Sequence, residues 1–163
     1  MISKTIEQAL NTQIQSEFFA AQLYLSMAGY CYSQNLKGFA SWMKLQASEE
    51  REHAMKFFDH IVDRGGNVEL HAIDAATPKL KSPLDMMRAA LAHEKKVTGQ
   101  IHKLYNLAVK EKDYAAQVML QWFVTEQIEE EAQAEEVVKK LELIGEKSSA
   151  ILYLDKELGK RGS

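Results

Sequence analysis

Apolar residues return every three or four positions along four long stretches of the chain, the spacing of a helix with one buried face. In the first stretch Ile6, Leu10, Ile14, Phe18, Ala21, Tyr24, Leu25 and Ala28 keep this spacing, predicting a helix over about 4–33. The segment "SQNLKG" breaks it. The second runs over about 37–64 and stops at Gly65-Gly66, a C-terminal stop signal. The third opens at Ser82-Pro83, a capping residue followed by Pro in the first turn, and continues to about 110. "KEKD" separates it from the fourth, over about 114–144, which Gly145 ends. "SSAILYLDKELG" predicts a short fifth helix with Ser as its cap.

Between the second and third helices lies "GGNVELHAIDAATPKLKSP", long for a connection in a compact domain. A helix of about 28 residues is roughly 42 Å long, and about 19 extended residues reach roughly 60 Å. This connection can therefore run the length of a bundle. The two short links make antiparallel hairpins, and the long one sets the third helix parallel to the second. The expected fold is all-α, a four-helix bundle with one long crossover and a short C-terminal fifth helix, in one domain spanning 1–163. Val68, Leu70 and Ile73 are expected to pin the crossover by packing.

Each long helix interrupts its apolar stripe with a polar group. Glu17 lies between Ile14 and Ala21. Glu50 and His53 lie between Gln46 and Phe57. Glu94 lies between Leu91 and Val97, and Gln127 and Glu130 lie between Phe123 and Ala134. Residues three and four apart share a helix face, so all six are expected to point inward. Glu17 and His53 are equidistant from the first link, and Glu94 and Glu130 from the second, so each pair sits level. The interval from Glu17 to Glu50 recurs from Glu94 to Gln127, and the step from Glu50 to His53 recurs from Gln127 to Glu130. The hairpins repeat one plan.

Four carboxylates converging in a core repel one another and are costly to bury without compensation. Arg51 and the nearby lysines lie on other faces; a bound cation can neutralise the cluster. Oxygen donors with one imidazole favour iron or manganese over structural zinc, and four carboxylates suit two ions sharing a bridging carboxylate.

Composition narrows this little. The net charge of −3 gives no reason to expect nucleic acid as a partner, and only 8 Gly and 2 Pro agree with a helical chain. The single Cys31 excludes an internal disulfide and fits a reducing compartment. No apolar run approaches a membrane span, and "MISKTIEQAL" lacks the core of a secretory signal. A cytoplasmic protein with no membrane partner is expected.

The segments "QIQSEFFAAQLYLSMA", "GFASWMKLQASEEREHAMKF", "RGGNVEL", "AHEKKVTGQI", "LQWFVTEQIEEE" and "LYLDKEL" carry a specific resemblance. Over essentially its whole length the chain resembles the haem-free bacterial ferritins. The resemblance implies a ferroxidase centre in which Glu17, Glu50 and His53 bind one iron and Glu50 bridges to a second, held also by Glu94 and Glu130. Gln127 would sit beside the pair as a hydrogen-bonding neighbour of the oxidant. A third iron site would use Glu49, Glu126 and Glu129 with Glu130 shared, a solvated acidic face being the alternative. Tyr24, and Trp122 in the same role, would be electron donors near the centre, with core packing as the alternative for both. The second motif, Gln127 to Glu130, is the ferritin version of the paired motif. Haem-binding bacterioferritins have Met directly after the first motif's Glu; Arg51 stands there, so no haem is expected. The resemblance further implies Fe(II) and O2 or H2O2 as reactants, storage of ferric mineral, and a homo-oligomeric shell of 24 subunits with an axis lined by Ile151, Leu154 and Leu158. A di-iron or di-manganese oxidase or peroxidase without storage is the other enzymatic reading. His60, His71, His93 and His102 show no ligand spacing and are expected at the surface or in loops, and Cys31 as a small packing residue.

Overall fold

A computed structural model gives the structure of residues 1–145 and 148–163. It contains α1 (Lys4–Ser33), α2 (Lys37–Asp63), α3 (Pro83–Lys110), α4 (Tyr114–Ile144) and α5 (Ser148–Leu158), with no strand among the described residues. The local signals act as expected. Ser82 Oγ accepts from Asp85 N at 3.0 Å with Pro83 beginning α3, and Asp113 Oδ1 accepts from Ala116 N at 3.0 Å to open α4. Gly65 and Gly145 adopt φ of +69° and +63° after α2 and α4, a backbone that suits a residue without Cβ. Ser148, in the segment expected to cap α5, is its first residue; its side chain and the position before it lie outside what the structure describes.

Helix α1 packs along α2 and α3 along α4, the two hairpins join through α1 and α3, and α5 packs on α2 and α4. The crossover, residues 64–82, is tied to α1 largely by polar side chains. Glu7 Oε2 accepts from Asn67 N at 3.0 Å, and Asn11 both donates to Asn67 O and accepts from Glu69 N at 2.9 Å. Gln15 reaches Ala72 O, and Ser26 Oγ donates to Ala76 O at 2.7 Å. Each bond satisfies a backbone group that has no helix or sheet to pair with. Val68 packs on the core and Ile73 is half-buried. Leu70, expected to pack, is 69% exposed. Fastening through the backbone on either side leaves its side chain outside, and Leu80 packs instead.

Two apolar clusters fill the bundle. One gathers Tyr24, Met27, Phe39, Trp42, Met43, Met86, Met87, Val137 and Leu141. The other gathers Ile6, Leu10, Ile14, Phe57, Ile61, Val97, Ile101, Leu120 and Phe123. Along every long helix the polar interruptions fall between the two. Leu154 is buried in the first cluster, and Ile151 and Leu158 pack against it. The stripe packs along α2 and α4, with Ile151 and Leu158 half-buried. Leu152 and Tyr153 are the large α5 residues left exposed, at 61% and 78%. Cys31 is fully buried, and burial pushes its thiol up to about 12, which suits an inert packing residue.

Candidate metal centre

All six interrupting residues lie inside the bundle: Glu17, Glu50, His53, Glu94, Gln127 and Glu130 are each 3% exposed or less. The α1/α2 half brings Glu17, Glu50 and His53 into one group whose ligand atoms lie within 4.8 Å of one another. His53 Nδ1 is 3.4 Å from Glu50 Oε2. Gln13 Nε2 donates to Glu17 Oε1 at 2.7 Å. Among the described residues no N–H or O–H group donates to Glu17 Oε2 or to either Glu50 oxygen, all three of which are buried. Burial, then the Glu50 charge, pushes the Glu17 carboxyl well above its usual range. Burial, then the Glu94 charge, does the same for Glu50. Without a cation, the relief left to these two carboxyls is a proton shared between them.

The α3/α4 half is hydrogen-bonded. Glu94 accepts from the Tyr24 hydroxyl through Oε1 and from Gln127 Nε2 at 3.1 Å through Oε2. Glu130 Oε2 accepts from Gln46 Nε2 at 2.8 Å, a bond that crosses from α2 to α4. Burial raises the Glu94 carboxyl, partly offset by those two donors. Burial and then the Glu94 charge bring Glu130 to about 7. Burial and the Glu94 charge push the Tyr24 phenol well up, so that it keeps its proton and remains a donor.

A second group joins His53, Glu126 and Glu130 on the α2/α4 side, with His53 Nε2 4.0 Å from Glu126 Oε1. Glu129, expected beside them, is exposed and belongs to neither group. It follows Gln127 by two positions, about 200° around the helix, which turns it off the inward face. Glu49 is half-buried and held by Arg161, whose Nη2 lies 2.8 Å from Glu49 Oε2. Arg161 arrives from beyond α5 and bonds Glu49 rather than any of the four buried carboxylates. Trp122 meets the His53 ring edge-on at 5.5 Å and carries Lys56 Nζ 4.4 Å above its own ring. Arg51 is exposed. His93, expected at the surface, is partly buried: it meets Tyr24 edge-on at 6.3 Å, and its Nε2 is buried without a partner.

Three supporting residues were not singled out from sequence. Gln13 and Gln46 precede Glu17 and Glu50 by one helical turn and are separated by the same interval as those two glutamates, a repeat that would have found them. Thr98, one turn after Glu94, has Glu131 Oε1 at 2.6 Å and Glu94 O at 3.1 Å as the two acceptors for its one hydroxyl proton, and it accepts from Gln127 Nε2 at 3.3 Å. Its signal is only its place on the helix.

Comparison with known proteins agrees in length and shape. A family profile described as "Ferritin-like domain" matches residues 7–144. The "Bacterial non-heme ferritin" of Staphylococcus aureus (strain MRSA252) is 40% identical over 161 residues, 99% of this chain and 97% of its own. The protein of the same name from Staphylococcus haemolyticus (strain JCSC1435) matches at the same identity and coverage. A solved open-pore ferritin from the hyperthermophilic archaeon Archaeoglobus fulgidus superposes with a TM-score of 0.97 at 49% identity, covering 99% of each chain. With its bundle, crossover and short fifth helix set beside these relatives, the chain belongs to the ferritin family, among the non-haem ferritins.

Proposed function

We propose that this chain stores and detoxifies iron by oxidising it at a paired site inside each bundle. Glu17, Glu50 and His53 bind one Fe(II). Glu50 bridges to a second, which Glu94 and Glu130 complete. Two Fe(II) ions each give up one electron; H2O2 with two protons takes the pair to become two waters, and O2 with two protons takes it to become H2O2. The resulting Fe(III) moves to a mineral within a shell of 24 chains, in the cytoplasm. The protein's part is geometric and electrostatic. Carboxylate oxygens favour Fe(III) over Fe(II), and the low-polarity surroundings strengthen that preference. Gln127 holds Glu94 in place and stands beside the pair. Tyr24 orients Glu94 and is placed to supply a further electron, with Trp122 against His53 in the same role. A third iron is held by Glu126 and Glu130 with His53 nearby, Glu49 and the more distant Glu129 completing that acidic face.

The observation that carries this reading is the set of three buried carboxylate oxygens, Glu17 Oε2 and both of Glu50, without a donor among the described residues. Such oxygens are unfavourable unless a proton or a cation meets them. Stopped-flow oxidation of Fe(II) by the wild type and by the Glu50→Ala/His53→Ala double variant tests it. The double variant should lose more than the roughly 10–100-fold typical of removing an outer-shell partner. An unchanged rate would falsify the catalytic assignment. Mineral loading separates storage from a non-storage oxidase: purified assemblies that stop at about two irons per chain, the content of the paired site alone, rule storage out.

A further inference from the structure

After α5 the chain turns back onto α2, and the fit is close. Phe39 N donates to Asp155 Oδ1 at 2.9 Å. A side chain at Gly38 would meet the Asp155 carbonyl oxygen at 1.6 Å, so only glycine there lets α5 approach. Gly162, at φ +79°, lies against Leu45. This path sets the Arg161 guanidinium 4.7 Å over the Trp42 ring and its Nη2 2.8 Å from Glu49 Oε2. The two side chains are 21% and 41% exposed. The other terminal nitrogen, Nη1, is buried and has no acceptor among the described residues.

We propose that Arg161 is an internal counter-cation that competes with a metal ion for Glu49, so that the cation site at His53, Glu126 and Glu130 gains Glu49 only when the guanidinium leaves. Glu49 belongs to that neighbourhood by its place on α2, next to Glu50 and one helical turn before His53. A carboxylate bonded to a guanidinium has already satisfied much of its demand for positive charge. A metal ion recruiting it must therefore displace the arginine. The seat is built to release: it bonds Glu49 through one nitrogen and leaves a second buried N–H without an acceptor, an unfavourable state. Trp42 supplies the stacking surface that keeps the side chain at hand. Arg161 is thus a positioning residue. It lowers the affinity of the third site while the paired site fills, and it separates the two steps in cation concentration. This rests on the ferroxidase reading of the paired site.

Calorimetric titration of the intact assembly with Co(II), which binds without being oxidised under anaerobic conditions, tests it. Wild type should show two tight Co(II) ions per chain and a weaker third. Arg161→Gln should tighten the third about fivefold, the scale of one partly exposed ion pair, and leave the first two unchanged. Adding Glu49→Gln to Arg161→Gln should abolish the gain. Arg161→Lys, which keeps the charge without the planar stack, should stay within about twofold of wild type. No tightening in Arg161→Gln overturns the proposal. Equal tightening in Arg161→Gln and Arg161→Lys also overturns it, because packing rather than charge would then be responsible. If Co(II) binding to wild type matches that of Glu50→Ala/His53→Ala, the paired site itself is wrong and the inference falls with it; tight pair binding with an unresponsive third site sinks the inference alone.

Discussion

The two hairpins place equivalent residues at one level of the bundle and then treat them differently. Glu17, Glu50 and His53 of α1/α2 correspond in register to Glu94, Gln127 and Glu130 of α3/α4. The carboxylates of the second hairpin accept from its own Gln127 and, across the bundle, from Tyr24 and Gln46 of the first. In the first, Gln13 serves one Glu17 oxygen, and three carboxylate oxygens have no donor among the described residues. One turn earlier the first hairpin carries Gln13 and Gln46, where the second has the apolar Ala90 and Phe123. A shared backbone plan thus yields two unequal halves. One is pre-organised by hydrogen bonds; the other is short of positive charge and suited to take the first cation.

The largest expected effect is on pH. In the metal-free protein Glu130 titrates near 7, and Glu17, Glu50 and Glu94 are also raised, all by burial first. Their folded-state values lie above their unfolded ones. Their contribution to stability is therefore complete below the unfolded value of about 4.5 and is lost as pH rises through the folded value. For Glu130 alone the loss is about 3 kcal/mol, so the metal-free melting temperature should fall by roughly 10 °C between mildly acidic and mildly alkaline buffer. Added Zn(II) should cancel the fall. A flat metal-free profile would mean that the carboxylates are not desolvated as the structure places them.

Substitution sharpens the contrast between halves. At mildly alkaline pH, Glu50→Gln removes a charge with no protein donor and should raise the metal-free melting temperature by about 2–4 °C, near 1 kcal/mol. Glu94→Gln removes an acceptor bonded twice and should lower stability by about 1–3 kcal/mol. Changes of the same sign in the two variants would erase the distinction. The smallest effect is expected at the crossover: Leu70→Ser should stay within about 0.5 kcal/mol, and Val68→Ala should cost about 1 kcal/mol. A large loss at Leu70 would show that the crossover is held by packing after all.

The apolar stripe was enough to place α1, α3 and α4 at their observed bounds and α2 to within one residue, because helix periodicity and capping are local. The burial of all six interrupting residues was also legible, since short links fix the register of antiparallel helices. What sequence left out was non-local. Nothing near Glu49 announces Arg161, which reaches it from the far end of the chain. Leu70 looks like an anchor by composition, yet the crossover is fastened through backbone groups by Glu7, Asn11 and Gln15. Glu129 shares an acidic run with Glu126 and Glu130, but helical angle alone turns it outward. Gln13 and Gln46 were within reach, as they repeat the interval of Glu17 and Glu50.

The most direct test is a crystal of the protein soaked in Fe(II) in air, with anomalous scattering recorded at the iron edge. Two peaks are expected in every bundle, one among Glu17, Glu50 and His53 and the other among Glu50, Glu94 and Glu130, with Glu50 between them. Iron confined to the outer acidic face, with none between Glu17 and Glu130, would contradict the account.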